Sequence, residues 1–235
     1  MKVDVWSDVV CPWCAIGRSR LQTAIAAFGA AHGEPVEVRW RSFELDPGAA
    51  RIVEGDHVAH LARKYGRTRA QAQEMVDQMA ARGAAEGVMF DFGRLKQGNT
   101  FDAHRLLHLA QEHGMQDALK ARMFRAYFQE GEAIGDRSVL ARLAADVGLE
   151  AADVARVLEG DAYAGAVRGD ETLARQLGIS GVPFFVIDER LAVSGAQPAE
   201  LLTQALAHAL ETRSSEDVPE SAGDGEVCGP DGCAV

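Results

Sequence analysis

The stretch VVCPWCAIGRSRL at residues 9–21 sets two cysteines three positions apart, between a short apolar run and the start of a helical pattern. Upstream, KVDVWSDVV at residues 2–10 predicts a strand with Val3 and Val5 on one face and charged or bulky residues on the other. Downstream, Pro12 suits the first position of a helix, Leu21, Ile25 and Phe28 recur at helical spacing, and Gly33 suits its end, which predicts a helix over 12–32. A second strand is expected over 36–43, where Val36, Val38 and Trp40 alternate with Glu37, Arg39 and Arg41. Strand, helix, strand is the opening of an α/β unit.

The spacing of the cysteines has a chemical consequence. Residues three apart on a helix rise about 4.5 Å and turn about 300°, so their Cα atoms lie roughly 5 Å apart. A disulfide accepts about 4.4 to 6.8 Å, and the pair can close and reopen without disturbing the helix. Free N–H groups and the helix dipole favour an anion at the helix start, which predicts a lowered pKa for Cys11 as nucleophile, with Cys14 as the resolving thiol one turn inside. Pro12 supplies no N–H to that anion, and Trp13 is expected to offer an apolar face to a substrate. Two other readings stay open: ordinary packing of small apolar side chains, and half of a zinc site. The pairs His57/His60 and His104/His108 have helical ligand spacing, but the first is expected on a solvated face beside Arg63 and Lys64, and nothing ties either pair to the cysteines.

After the turn Asp46-Pro47-Gly48 the period changes to 3.6, predicting helices near 55–65, 69–82, 101–113, 116–130, 137–147, 151–159 and 161–177. Thr68 with Gln71 forms a capping-box pattern, Asn99 or Thr100 and Asp136 start further helices, and Gly66, Gly114, Gly131 and Gly148 stand where helices should stop. VMFDF at 88–92 is ambiguous between helix and strand. Strand character returns over 183–187 and 191–194 as a hairpin, followed by a helix over 198–211 with Leu202, Ala205, Leu206 and Ala209 on one face. The β elements thus bracket a helical insertion of roughly 48–177.

With 235 residues and 47% hydrophobic composition the chain can bury a substantial core without disulfide staples. The net charge of −11 is concentrated at the end: residues 211–235 hold seven acids against one base, Arg213. No basic patch is present, which argues against nucleic acid or an anionic membrane as partner. Asp4 and Asp8 interrupt any leader-like apolar run, and no stretch approaches the ~18 to 20 apolar residues of a membrane span. The expected setting is cytoplasmic. Thiols are kept reduced there, so four cysteines point to catalysis, redox sensing or metal binding. They form two pairs, Cys11/Cys14 and Cys228/Cys233. The second pair lies in an acidic segment, 212–235, expected to be flexible for want of apolar surface. Its CGPDGC sequence reads as a tight turn able to bring the sulfurs together. As an accessory redox pair on a tether it would face Cys11/Cys14 at an effective concentration in about the millimolar range. A redox-inert pair, or a four-thiolate metal site with Cys11/Cys14, stays open.

DVVCPWCAIG, NTFDAHRL at 99–106, GISGVPFFVID at 178–188 and VSGAQ at 193–197, in this order, resemble the DsbA family, and most of all its cytosolic FrnE-like branch. The resemblance spans roughly residues 1–210. It implies an α/β thioredoxin fold made of 1–47 and 178–211, with a large all-helical domain, 48–177, inserted. It also implies thiol-disulfide oxidoreductase chemistry at Cys11 and Cys14 with no cofactor. Val182-Pro183 would be a cis peptide beside the cysteines, its backbone pairing with an extended substrate; a proline that merely opens an edge strand is the alternative. Pro12 and Trp13 would contact substrate beside the dithiol, and Asn99 and His104 would line the pocket; a plain helix cap, with His104 an ordinary half-buried side chain, is the alternative. The partners implied are protein thiols and disulfides or a small thiol, glutathione included. A kappa-class-like glutathione-dependent isomerase or transferase would share the architecture, but it activates glutathione with a serine, and the complete dithiol argues against it. A cytosolic holdase chaperone and a zinc-thiolate protein are the rivals from other classes.

Overall fold

The computed structural model describes residues 1–53 and 55–214, together with the backbone of 221–222, 228–229 and 232–233. Strand β1 (Lys2–Ser7) runs parallel to β2 (Glu37–Ser42) and antiparallel to β3 (Phe184–Ile187), which forms a hairpin with β4 (Leu191–Ser194). The order across the sheet is therefore β2-β1-β3-β4, with the short β5 (Ser221–Ala222) parallel to β4 at the edge. The register sets Val3 beside Val38 and Ile187, and Val5 beside Trp40 and Phe185.

Helix α1 (Pro12–His32) and the last helix cover one face of this sheet. Val3, Val5, Phe185, Ile187 and Val193 pack there against Leu21, Ala24 and Phe28 and against Leu202, Ala205, Leu206 and Ala209. α1 ends as the sequence predicts, with Gly33 left-handed at φ 67 and its N–H bonded to the Gly29 carbonyl. The other face is not the polar, solvated one that the alternation in β1 suggests. Asp4 and Trp6 are buried as well. The Arg41 guanidinium on β2 bonds Asp4 at 2.7 Å and Asp170 at 2.8 Å, and the Trp6 indole donates to the Asp170 carbonyl.

Seven helices lie between β2 and β3, α2 (His57–Tyr65), α3 (Arg69–Ala85), α4 (Phe101–Glu112), α5 (Gln116–Arg125), α6 (Arg137–Asp146), α7 (Ala151–Glu159) and α8 (Ala164–Gln176), and of these α4, α5 and α8 pack on that second face along β2. Thr68 and Gln71 close the capping box of α3, and the Asn99 side-chain Oδ1 accepts the Phe101 N–H at the start of α4. VMFDF is neither helix nor strand but leads into a single 3-10 turn, Phe92–Arg94. The helix expected to reach 130 instead passes at Ala126–Glu130 into one π turn, closed by Gly131 at φ 69. Gln116 covers the outer edge of β2, its amide pairing with both the N–H and the carbonyl of Trp40. The final helix is α9 (Ala199–Glu211). In the acidic tail, β6 (Cys228–Gly229) pairs with β7 (Gly232–Cys233), Cys228 opposite Cys233; the side chains of both cysteines and most of 215–235 lie outside the described residues.

Candidate functional site

The chain leaves β1 at Ser7, turns through Asp8, and enters α1 with Cys11 as N-cap and Pro12 at the first helical position. Cys11 holds extended backbone angles, so its Sγ swings back over the first turn and accepts the Cys14 N–H at 3.3 Å. The Cys11 thiol donates to the Val182 carbonyl at 3.7 Å. Val182-Pro183 is a cis peptide, and Pro183 is buried against α1. Gly17 permits that approach: a Cβ there would stand 2.9 Å from Pro183 Cγ. Both cysteines are free thiols, buried in this conformation.

Burial reverses one expectation. Helix position alone predicts a lowered Cys11 pKa, but the desolvated sulfur, with the Cys14 thiol beside it and Asp8 nearby, is pushed well above its ordinary value; only the Cys14 N–H pulls the other way. Trp13 does not present its ring to a substrate either. It is 1% exposed, turned into the core with the Arg82 guanidinium over it at 5.4 Å.

Beneath the dithiol lies a set of buried charges. The Asp8 carboxylate accepts the Leu45 N–H at 2.8 Å and lies 3.3 Å from His104 Nε2. Burial pushes its pKa up, yet the His104 bond and charge, the Leu45 N–H and Lys120 outweigh that and hold it below the carboxylate range. Lys120 on α5 is fully buried, bonded to the Ser7 carbonyl at 3.2 Å with the rings of Trp40 and Phe124 near its ammonium. Its pKa falls to about 8 through desolvation, against the attraction of Cys14, Asp8 and Cys11. Glu44 is tied to Asn99 and Arg168, and burial raises its pKa against the pull of Arg168 and His104.

Pro12, Val182 and Pro183 thus come together around Cys11 and Cys14. His104 is buried against Asp8, and Asn99, half-buried, is engaged with Glu44 and the Pro47 carbonyl. His104 is 1% exposed, so it touches the acid and not an open pocket. Of the other histidines, His108 is bonded to Ser42 and Asp170, while His57 stacks on Phe92 and bonds Gln97, contrary to the solvated face expected from its neighbours Arg63 and Lys64. Among the described residues no group of three or more His, Cys, Asp or Glu is placed to hold a metal, and no helix is long and apolar enough to cross a membrane. Lys120, Tyr127 and Gly17 were not singled out by the sequence. Lys120 carried no signal, since a lysine in a helical pattern reads as solvent-facing.

A βαβ unit joined to a β-hairpin, with a dithiol at the start of the first helix and a cis-proline against it, defines a thioredoxin-like redox fold. The chain belongs to the DSBA-like thioredoxin domain family, whose match covers residues 2–207. It is similar to a probable DsbA oxidoreductase from Streptomyces coelicolor, at 47% identity and a TM-score of 0.84, over 100% of this chain and 99% of that one. It is 30% identical to the uncharacterised protein YwbO of Bacillus subtilis, over 87% of this chain and 94% of that protein. It shares its fold with the cytosolic disulfide reductase DsbM from Pseudomonas aeruginosa, solved with glutathione, at 21% identity and a TM-score of 0.56, over 91% and 99% of the two chains. Family and neighbours together identify an oxidoreductase of the DsbA-like thiol-disulfide class.

Proposed function

We propose that the chain exchanges thiols and disulfides through Cys11 and Cys14. The Cys11 thiolate attacks a substrate disulfide, whose S–S bond breaks and releases one thiolate to take up a proton. Cys14 then attacks the Cys11 sulfur of the mixed disulfide, freeing the second substrate thiol and leaving the Cys11–Cys14 disulfide. The reverse sequence oxidises a substrate dithiol. The observation that carries this reading is the Cys11 sulfur itself, held between the Cys14 N–H and the Val182 carbonyl at the start of α1. Pro12, Val182 and Pro183 form the substrate groove in this reading. Asn99 and His104 act on the substrate only through Glu44 and Asp8. The substrates are thiols and disulfides of proteins or small molecules, glutathione included, in a cytoplasmic setting and without a cofactor.

Cys14→Ser should halt the reaction halfway. Incubated with bis(2-hydroxyethyl) disulfide, that variant is expected to accumulate an adduct at Cys11, visible by mass spectrometry, whereas a protein left unmodified at Cys11 would contradict the mechanism. Because the Cys11 pKa is raised, alkylation at pH 7 should be slower than that of a free cysteine and should climb through pH 9.

Cys228 and Cys233 form the accessory redox pair of this reading. Two features support it: their backbones pair directly, and Gly229 approaches the loop before Val182 so closely that a Cβ there would lie 2.8 Å from the Ser180 carbonyl oxygen. Replacing both cysteines with serine should alter turnover and the disulfide population of Cys11/Cys14; no change in either would remove the relay.

A further inference from the structure

Between the CPWC turn and helices α2 and α3 lies a cavity of about 180 Å³. Val10 and Pro12, the residues on either side of Cys11, are among its walls, so a group seated in it adjoins the dithiol. Much of the remaining wall is apolar and polarisable: Val76 and Met79 from α3, with Phe92 and Phe128. An engineered apolar cavity of about 150 Å³ takes up benzene, so this space admits one substituted ring.

Two neutral donors interrupt the apolar wall. Tyr127, brought to the cavity by the π turn, is 3% exposed, and its hydroxyl has no hydrogen-bond partner among the described residues. His57 lines the cavity, and the Gln97 amide nitrogen lies 2.7 Å from its Nδ1. An amide nitrogen can only donate, so Nδ1 accepts and the ring proton sits on Nε2. Desolvation lowers the His57 pKa to about 4, which keeps the ring neutral. Of the charged residues in the lining, Asp8 is buried and ionised whereas Lys64 is exposed to solvent, so the interior disfavours an anion. The Tyr127 hydroxyl is not among the buried polar atoms left without a partner, so it stands open to the cavity, where a guest can accept from it.

Building on the thiol-disulfide reading, we propose that this cavity is a subsite for the organic group of the substrate thiol or disulfide. It selects an uncharged aromatic ring bearing a hydrogen-bond acceptor such as a ketone, held by Tyr127 and His57. With the reduced protein as reductant, an aryl disulfide would yield two aryl thiols and the Cys11–Cys14 disulfide.

Acetophenone, which carries no sulfur, tests the site apart from the redox chemistry. Isothermal titration into the reduced protein should show one-site binding, at least tenfold tighter than that of benzoate. Tyr127→Phe, which removes the hydroxyl at the cavity, should weaken it at least fivefold, and Val76→Trp, which fills the space, should weaken it further. No binding, equal binding of benzoate, or wild-type affinity in Tyr127→Phe would overturn the proposal. Single-turnover rates of bis(4-acetylphenyl) disulfide and bis(2-hydroxyethyl) disulfide, each divided by its rate with dithiothreitol, should favour the aryl compound at least tenfold. If acetophenone binds but neither disulfide reacts, the redox reading falls and the ring site stands. If both disulfides react with equal normalised rates and acetophenone does not bind, the ring site alone falls.

Discussion

The sheet is covered on one side by α1 and α9 and on the other by the inserted helices, and the two sides are held by different physics. The first contact is mainly apolar: Val3, Val5, Phe28, Phe185 and Leu206 are each 0% exposed and pack in one hydrophobic cluster, with His32 against the Phe28 ring at its edge. The second buries Asp4, Asp8, His104, His108, Lys120 and Asp170, with Arg41 half-buried among them, and of these Asp8 and Lys120 act on the dithiol. Apolar packing is non-directional and gives way gradually, whereas a buried charge depends on particular partners and costs most when one of them is lost. Both sides therefore hold the fold, the first without dependence on charge, and the second also sets the electrostatic surroundings of Cys11.

Substitutions on the two sides should separate these roles. Asp170→Ala should have the largest effect: it strips Arg41, His108 and the Ser42 N–H of a shared acceptor, and such a loss costs about 3–5 kcal/mol. Urea unfolding would measure it, and a cost below about 1 kcal/mol would mean that the charges are not mutually dependent. Leu206→Ala, on the apolar side, should cost about 2–5 kcal/mol through lost burial and the cavity left behind. Its effect should be the same at pH 6 and pH 9, and a pH-dependent cost would break the distinction between the sides.

Lys120 gives the smaller and sharper test. Its pKa falls from 10.5 to about 8 in the folded chain. Between those values the unfolded chain holds a proton that the folded chain has shed, so stability should rise with pH, by at most about 1.4 kcal/mol per pH unit. Cys11 opposes this above pH 9, because its raised pKa keeps a proton on the folded chain that the unfolded chain loses. In a Cys11→Ser/Cys14→Ser background the lysine effect stands without the two thiols; the raised tyrosines Tyr127 and Tyr163 oppose it only as pH nears about 10, and Lys120→Met should abolish the rise between pH 8 and pH 9. An unchanged slope would show that Lys120 is not the group responsible.

These contrasts also mark what could be read from the chain alone. The strands, the first and last helices and the CPWC turn were legible because each is announced locally, by alternation, by helical periodicity, or by a proline and glycine at its ends. The placement of the proline was legible only through the whole motif GVPFF. The electrostatic half was not legible, because its partners are distant in sequence: Arg41 meets Asp170 across 129 residues and Lys120 meets Ser7 across 113. Asp4 and Trp6 therefore resemble the outward face of an ordinary strand, and Lys120 the outward face of an ordinary helix. The direction of the Cys11 shift is not legible for the same reason. The helix start is visible in sequence, but the desolvation that overcomes it comes from the rest of the fold.

The central claim is that Cys11 and Cys14 form one reversible two-electron couple. Equilibrating the Cys228→Ser/Cys233→Ser protein in a series of glutathione buffers, trapping free thiols and reading the masses tests it with no other cysteine to interfere. The account predicts a single transition between the free dithiol and an internal Cys11–Cys14 disulfide, recovered when the series is run in reverse. Cysteines that stay reduced throughout, or that carry only separate glutathione adducts, would contradict it.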